Sequence, residues 1–218
     1  MIEGGVNTFA VLPVKRPGGA KSRMAGAMDE GRRIALVEAM LEDVLEALDG
    51  SRLLFGTIVV TGDERAARMA EAHGCEVVDD PDDGGHSEAA LVGIAAARNH
   101  GADRVLLVPG DCPLLNPREV DRLLGAVPER FVAIVPDRHG TGTNALLLSP
   151  ADAIEPAFGE GSAQRHLALA REAGVPAGLE ELPSLALDLD TPADIIALQT
   201  RFESGIRGAK NTGRVLDA

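Results

Sequence analysis

Short unbroken apolar runs alternate along the chain with segments whose apolar positions recur every three or four residues. That alternation is the signature of βα units packed around a largely parallel sheet. The apolar runs predict strands at residues 9–14, 57–60, 76–78, 105–108, 132–135, 145–148 and 185–189. Runs this short suit strands covered on both faces. In residues 29–48, Ile34, Val37, Met40, Leu41, Val44, Leu45 and Leu48 fall at helical spacing, with Gly50 just beyond. Asp63, Ser87 and Asn116 stand where helix caps belong, and Asn116 precedes a proline at the first helical position. Thr191 and Pro192 repeat that start, and residues 163–173 read as one more helix.

The 218 residues are enough for one core, read here as a single α/β domain over residues 1–203. Residues 204–218 are polar, contain glycine and lack apolar periodicity, which predicts a loosely ordered tail. No apolar stretch reaches the ~18 residues of a membrane span. Residues 1–9 lack the basic region and apolar run of a leader, so a cytoplasmic protein with no membrane partner is expected. Cys75 and Cys112 lie far apart without metal-binding or redox spacing and are expected to be reduced.

The formal charge of -13 excludes the broad basic surface that nucleic acid needs. Positive charge is nonetheless concentrated in one place. Of three lysines, Lys15 and Lys21 fall in a single loop with Arg16 and Arg23, around Gly18 and Gly19. This loop leaves the first strand, where open α/β sheets bind ligands and glycines let backbone N–H groups approach phosphates. Four cations there suit a triphosphate, whose α-phosphorus must accept an anionic nucleophile while pyrophosphate leaves. The Walker A pattern does not occur, and Gly159-Glu160-Gly161 lacks the further glycine of a dinucleotide fingerprint.

Two acidic positions complement the loop. Asp111, in Pro109-Gly110-Asp111-Cys112-Pro113, follows a buried strand and is placed for a hard cation such as Mg²⁺, which needs few protein carboxylates. Asp188 or Asp190, which strand alternation sends to one face, is the expected second ligand. Thr141-Gly142-Thr143-Asn144, and Gly159 to Ser162 before a helix start carrying Arg165 and His166, suit a second anion site. His86 and Glu88 could face a nucleotide base, or Ser87 could simply cap the helix there.

Leu12-Pro13-Val14-Lys15, Ala20-Lys21-Ser22-Arg23, Pro109 to Leu114, Asp137 to Asn144, Phe158 to Ser162 and Leu187 to Pro192 together resemble the CofC/FbiD guanylyltransferases of deazaflavin coenzyme (coenzyme F-420) biosynthesis. The resemblance implies a three-layer, glycosyltransferase-A-like nucleotidyltransferase fold. It implies transfer of GMP from GTP to phosphoenolpyruvate, or to 2-phospho-L-lactate or 3-phosphoglycerate, with a metal on Asp111 and Asp190 or Asp188. The nucleotide would lie against Leu12, Pro13, Val14, Lys15, Lys21, Pro109 and Gly110, with Lys15, Lys21, Arg23 and Asp111 catalytic. The acceptor would be held around Thr143, Asn144, Gly159, Gly161 and Ser162. His86-Ser87-Glu88 departs from the Gly-Leu-Asn of many members at the base-binding turn. A molybdenum-cofactor or sugar-phosphate nucleotidyltransferase, and a non-catalytic nucleotide-binding protein, are the rival readings. Hand-over of a reactive diphosphate product to the next enzyme is a further expected partnership.

Overall fold

The layering follows from one strand. In β1 (Thr8–Pro13) every residue is buried, yet Phe9 and Val11 join one apolar cluster while Ala10 and Leu12 join another. Successive side chains of a strand point to opposite faces, so β1 must be covered on both. In the computed structural model, which describes residues 6–16, 21–80 and 84–217, helices provide that cover. The elements after β1 are α1 (Glu30–Asp49), β2 (Gly56–Val60), α2 (Glu64–Ala72), β3 (Glu76–Val78), α3 (His86–Asn99) and β4 (Arg104–Leu107). Then come α4 (Pro117–Ala126), β5 (Phe131–Pro136), β6 (Thr143–Ser149), α5 (Ser162–Glu172), β7 (Ala177–Leu179), α6 (Pro192–Glu203) and α7 (Lys210–Asp217). Residues of α1, α2 and α4 pack on one sheet face, and residues of α3 and α5 on the other. The result is a three-layer α/β arrangement, as the resemblance implies, built on the βα units expected from the pattern.

The seven strands run β3-β2-β1-β4-β6-β5-β7. All neighbouring pairs are parallel except those of β6, which is antiparallel to both β4 and β5. The chain winds outward from β1 through β2 to β3, then returns to place β4 on the other side of β1. Ligands of open α/β sheets collect beyond the carboxyl ends of strands at such a reversal. There the segment after β1 meets the turn after β4. Close packing at this centre requires Gly93 on α3, where a Cβ would fall 2.3 Å from a Val11 methyl and 3.0 Å from one of Val60.

Three local expectations need correction, and one strand was not expected. Residues 185–189 do not form a strand. Leu185, Leu187 and Leu189 are buried in alternation, but the segment is a short 3-10 turn (Pro183–Leu185) and extended chain. Its groups bond to scattered partners, with Leu189 N–H donating to Asp111 O and Asn144 Nδ2 to Leu185 O. The seventh strand is β7, three residues without a β-branched side chain, paired in parallel with β5. Ser87 does not cap α3. The cap position is Gly85, and the Ser87 hydroxyl accepts the Phe158 N–H instead. Finally, the expected loose tail contains α7. The buried Asp43 of α1 accepts N–H groups of Asn211 and Thr212 at 2.9 and 2.8 Å, capping α7 from another helix. Val215 and Leu216 then pack with Met24, Leu36 and Met40. Asp63 and Asn116 cap α2 and α4 as expected.

Candidate active site

An open cleft of about 430 Å³ lies beyond the adjoining ends of β1 and β4. Pro13, Val14 and Lys15 form one wall and Pro109, Gly110 and Asp111 the other. Lys21, His86 and Asp190 also line it, and Val37, Met40 and Leu41 of α1 supply an apolar side. The convergence depends on covalent continuity at each strand end and on backbone ties. Val14 N–H donates to Val60 O, which carries Lys15 out of the sheet, and Leu189 N–H donates to Asp111 O, which brings Asp190 beside Asp111.

Lys21 is the joint between the basic and acidic segments. Its Nζ lies 2.7 Å from Asp111 Oδ2 and 2.6 Å from Asp190 Oδ1. Burial pulls the Lys21 ammonium toward deprotonation, but the charges of Asp111 and Asp190 outweigh it and hold the group above its ordinary pKa. Lys21 also has a φ of 53°, an uncommon left-handed conformation for a lysine. Arg23 is mostly exposed and reaches Asp190 Oδ2 only at 3.7 Å. Lys15 is exposed at the cleft wall, and Arg16 Nε donates to Gly62 O. Gly18 and Gly19, expected to cradle phosphate, lie outside the described residues.

Asp188 is set apart from this pair. It does not line the cleft, and burial, reinforced by the Asp111 charge, pushes its carboxyl above the ordinary range. Asp190 is held in place by Asp194, whose Oδ2 accepts the N–H groups of Asp190 and Thr191 at 3.0 and 2.7 Å. Asp194 is buried, and its other oxygen meets Arg138 at 2.6 Å. Among the described residues no cluster of three or more His, Cys, Asp or Glu forms a metal cage.

Other predicted residues fall elsewhere. Leu12 is fully buried in the core and lines no cleft. Ser87 and Glu88 are also absent from the cleft lining, leaving His86 as the residue of that turn that faces it. Burial, with a smaller contribution from Lys15, lowers the His86 pKa and favours a neutral ring. Cys112 is wholly buried, its thiol far from ionising for that reason, and donates weakly to Leu185 O at 3.7 Å.

Thr143 and Ser162 come together around His166, which the sequence places on the first turn of the helix at the expected second anion site. Ser162 Oγ donates to Thr143 Oγ1 at 3.0 Å, and His166 Nδ1 is 3.1 Å from the same oxygen. Residues 162 and 166 are four apart, so both face the same way from α5. That spacing was the available signal. Gly159 and Gly161 take φ values of 113° and 70°, which shape the turn entering α5. Asn144 spends an amide N–H on Leu185 O at 2.6 Å. Phe158 bridges this cluster to the cleft, its ring 5.3 Å from His166 and 4.5 Å edge-on from His86.

A larger depression of about 620 Å³ opens at the other ends of β1 and β4. Its cations are already satisfied, with Arg98 paired to Asp152 at 3.0 Å and Arg104 bonded to Thr8 and Leu124 O. It carries no comparable chemistry.

The sequence model for "Guanylyl transferase CofC like" proteins matches residues 8–204. The chain belongs to the CofC guanylyl transferase family. Within that family it is 47% identical over 214 residues to a phosphoenolpyruvate guanylyltransferase of Conexibacter woesei, covering 97% of this chain and 96% of the other. It is 39% identical to a 3-phospho-D-glycerate guanylyltransferase of Phenylobacterium zucineum, over 86% of this chain and 87% of that one. A solved nucleotidyl transferase from Methanothermobacter shares the fold at a TM-score of 0.64 and 22% identity, covering 92% of this chain and all of that one. The nucleotidyltransferase fold implied by the motifs is therefore the fold of this CofC-family chain. No helix among its described residues is long and apolar enough to cross a membrane.

Proposed function

We propose that the chain condenses GTP with phosphoenolpyruvate to give enolpyruvoyl-2-diphospho-5'-guanosine and pyrophosphate, within coenzyme F-420 biosynthesis. The observation that carries this reading is the Lys21 ammonium held between Asp111 and Asp190 in the cleft. Two carboxylates that converge on one cation form an oxygen donor set suited to Mg²⁺, which takes its remaining ligands from water and phosphate. Asp111 and Asp190 would hold the metal. Bound there, it would supply charge neutralisation for the polyphosphate.

The chain's own residues account for the rest. Asp111 and Asp190 cancel part of the charge of the Lys15, Arg16, Lys21 and Arg23 group, so the basic segment alone is a weak polyphosphate site. Lys21, already desolvated, is placed to move from the carboxylates to phosphate oxygens at little further cost of burial. Lys15 and Arg23, exposed at the cleft edge, can follow the leaving pyrophosphate. The acceptor's phosphate oxygen is ionised at neutral pH and attacks the α-phosphorus directly; the bond to the β,γ-unit breaks and pyrophosphate carries away its electron pair. No general base is required, and catalysis rests on positioning and charge.

Phosphoenolpyruvate is favoured as acceptor by the 47% identical relative's name. 3-Phosphoglycerate is the second reading, supported by the 39% identical relative. In Asp111→Asn, pyrophosphate release from GTP and phosphoenolpyruvate with Mg²⁺ is expected to fall about 10²–10³-fold. A near wild-type rate would remove Asp111 from the chemistry.

A further inference from the structure

The reading of Thr143 and Ser162 as the acceptor's anion site leaves open what fixes their hydroxyls. A hydroxyl rotates freely and can donate or accept. Here the direction is imposed by His166, whose side chain is completely buried. The Ala157 backbone N–H donates to His166 Nε2 at 2.9 Å. A backbone amide can only donate, so Nε2 carries no proton. The ring is neutral, and its proton sits on Nδ1. Burial and the charge of Arg165 support the neutral form by pulling the His166 pKa down to about 4.

Nδ1–H therefore donates to Thr143 Oγ1 at 3.1 Å. Ser162 Oγ is buried and has no other hydrogen-bond partner among the described residues, so its O–H donates to the same oxygen at 3.0 Å. A hydroxyl oxygen has two lone pairs, and both are now filled. Thr143 is left as a compelled donor. Its own hydrogen must go to a further acceptor, and Thr143 is only half-buried.

We infer that His166 is a positioning residue for the transfer reaction: clamped by Ala157 N–H, it locks Thr143 as a hydrogen-bond donor toward an oxyanion of the small phosphorylated acid. The inference rests on the proposed acceptor site. The same clamp fixes the glycine turn that follows Ala157, which Arg165 also holds through Ala157 O and Glu160 O at 2.8 and 2.7 Å. His166 touches no reacting atom; it acts through Thr143.

Two measurements test this. In the wild-type protein, ¹⁵N–¹H spectra of the imidazoles should show His166 as the neutral tautomer protonated at Nδ1; an Nε2-protonated or charged ring would overturn the inference. Steady-state kinetics with GTP and phosphoenolpyruvate should then separate three variants. His166→Gln can keep an acceptor for Ala157 N–H but loses the Nδ1–H, and the KM for phosphoenolpyruvate should rise about tenfold, as for a lost hydrogen bond to an anion. The KM for GTP should stay within about twofold. His166→Asn places an amide N–H near the Nδ1 position and should recover most of the acceptor affinity. Thr143→Val should raise the acceptor KM at least as far as His166→Gln. Gln and Asn variants with equal defects, or a defect confined to kcat, would overturn the positioning role while the acceptor site stands. An unchanged acceptor KM in Thr143→Val would sink the acceptor reading itself, and this inference with it.

Discussion

The two sides of the candidate site are built on opposite electrostatic plans. On the side proposed to hold the nucleotide, Lys21, Asp111 and Asp190 meet as full charges in an open cleft, with Arg23 and Lys15 exposed at its edge. On the side proposed to hold the acceptor, Ala157 N–H, His166, Thr143 and Ser162 form a chain of neutral hydrogen bonds, with His166 and Ser162 buried. Mobile charge suits a ligand whose charge changes as pyrophosphate departs. A preset neutral donor suits an anion that need only be oriented. The first side can exchange partners, because its groups bond to one another in the absence of ligand; the second is fixed by groups that water does not reach.

The largest test of the contrast is Asp111→Asn, in which the drop of about 10²–10³-fold should appear in kcat with the His166 tautomer unchanged. A simultaneous change of tautomer would show that the two sides are not separate devices. The next largest is pH. His166 has a folded pKa near 4 against an ordinary value of 6.5, so between those values the unfolded chain binds a proton that the folded chain refuses. Its contribution is fully present above pH 6.5 and is lost as pH falls, by about 3 kcal/mol at pH 4. Lys21 has the reverse sign. Its pKa is raised on folding, so its contribution is present below 10.5 and is lost at higher pH. Urea midpoints measured from pH 7 down to 4 should therefore decline in the wild type and decline less in His166→Asn. Parallel slopes would count against the neutral buried ring. The smallest effect is expected for Arg23→Gln. Its contact with Asp190 is long and exposed, so the KM for GTP should rise about twofold to fivefold, and less at high salt. A larger, salt-insensitive change would mean that Arg23 joins the Lys21, Asp111 and Asp190 cluster when nucleotide binds.

The same contrast explains what the sequence made legible. Strand ends followed by Pro-Val-Lys and Pro-Gly-Asp carry chemistry in adjacent residues, so Lys15 and Asp111 could be read from local pattern. The buried runs of β1, β2, β4, β5 and β6 were equally plain, because both faces are covered and their residues are continuously apolar. Residues 185–189 misled for a physical reason. Alternating leucines report an extended chain with one side buried, but not whether its backbone has a strand to pair with. β7 went unseen because Ala-Gly-Leu carries no strand propensity and takes its pairing from β5. α7 went unseen because its cap, Asp43, is 168 positions from Asn211 in sequence. His166 was legible as a residue on the helix start of the expected second anion site, four places from Ser162. Its role needs the Ala157 amide and the Thr143 hydroxyl, which only the folded turn brings to the ring.

³¹P NMR of the wild-type protein with GTP, phosphoenolpyruvate and Mg²⁺ reads the proposed transfer itself. Paired resonances of a new unsymmetrical diphosphate, joining guanosine 5'-phosphate to the acceptor's phosphate, are expected to grow in step with free pyrophosphate. Orthophosphate release in place of pyrophosphate, or no new diphosphate with phosphoenolpyruvate or 3-phosphoglycerate, would contradict it.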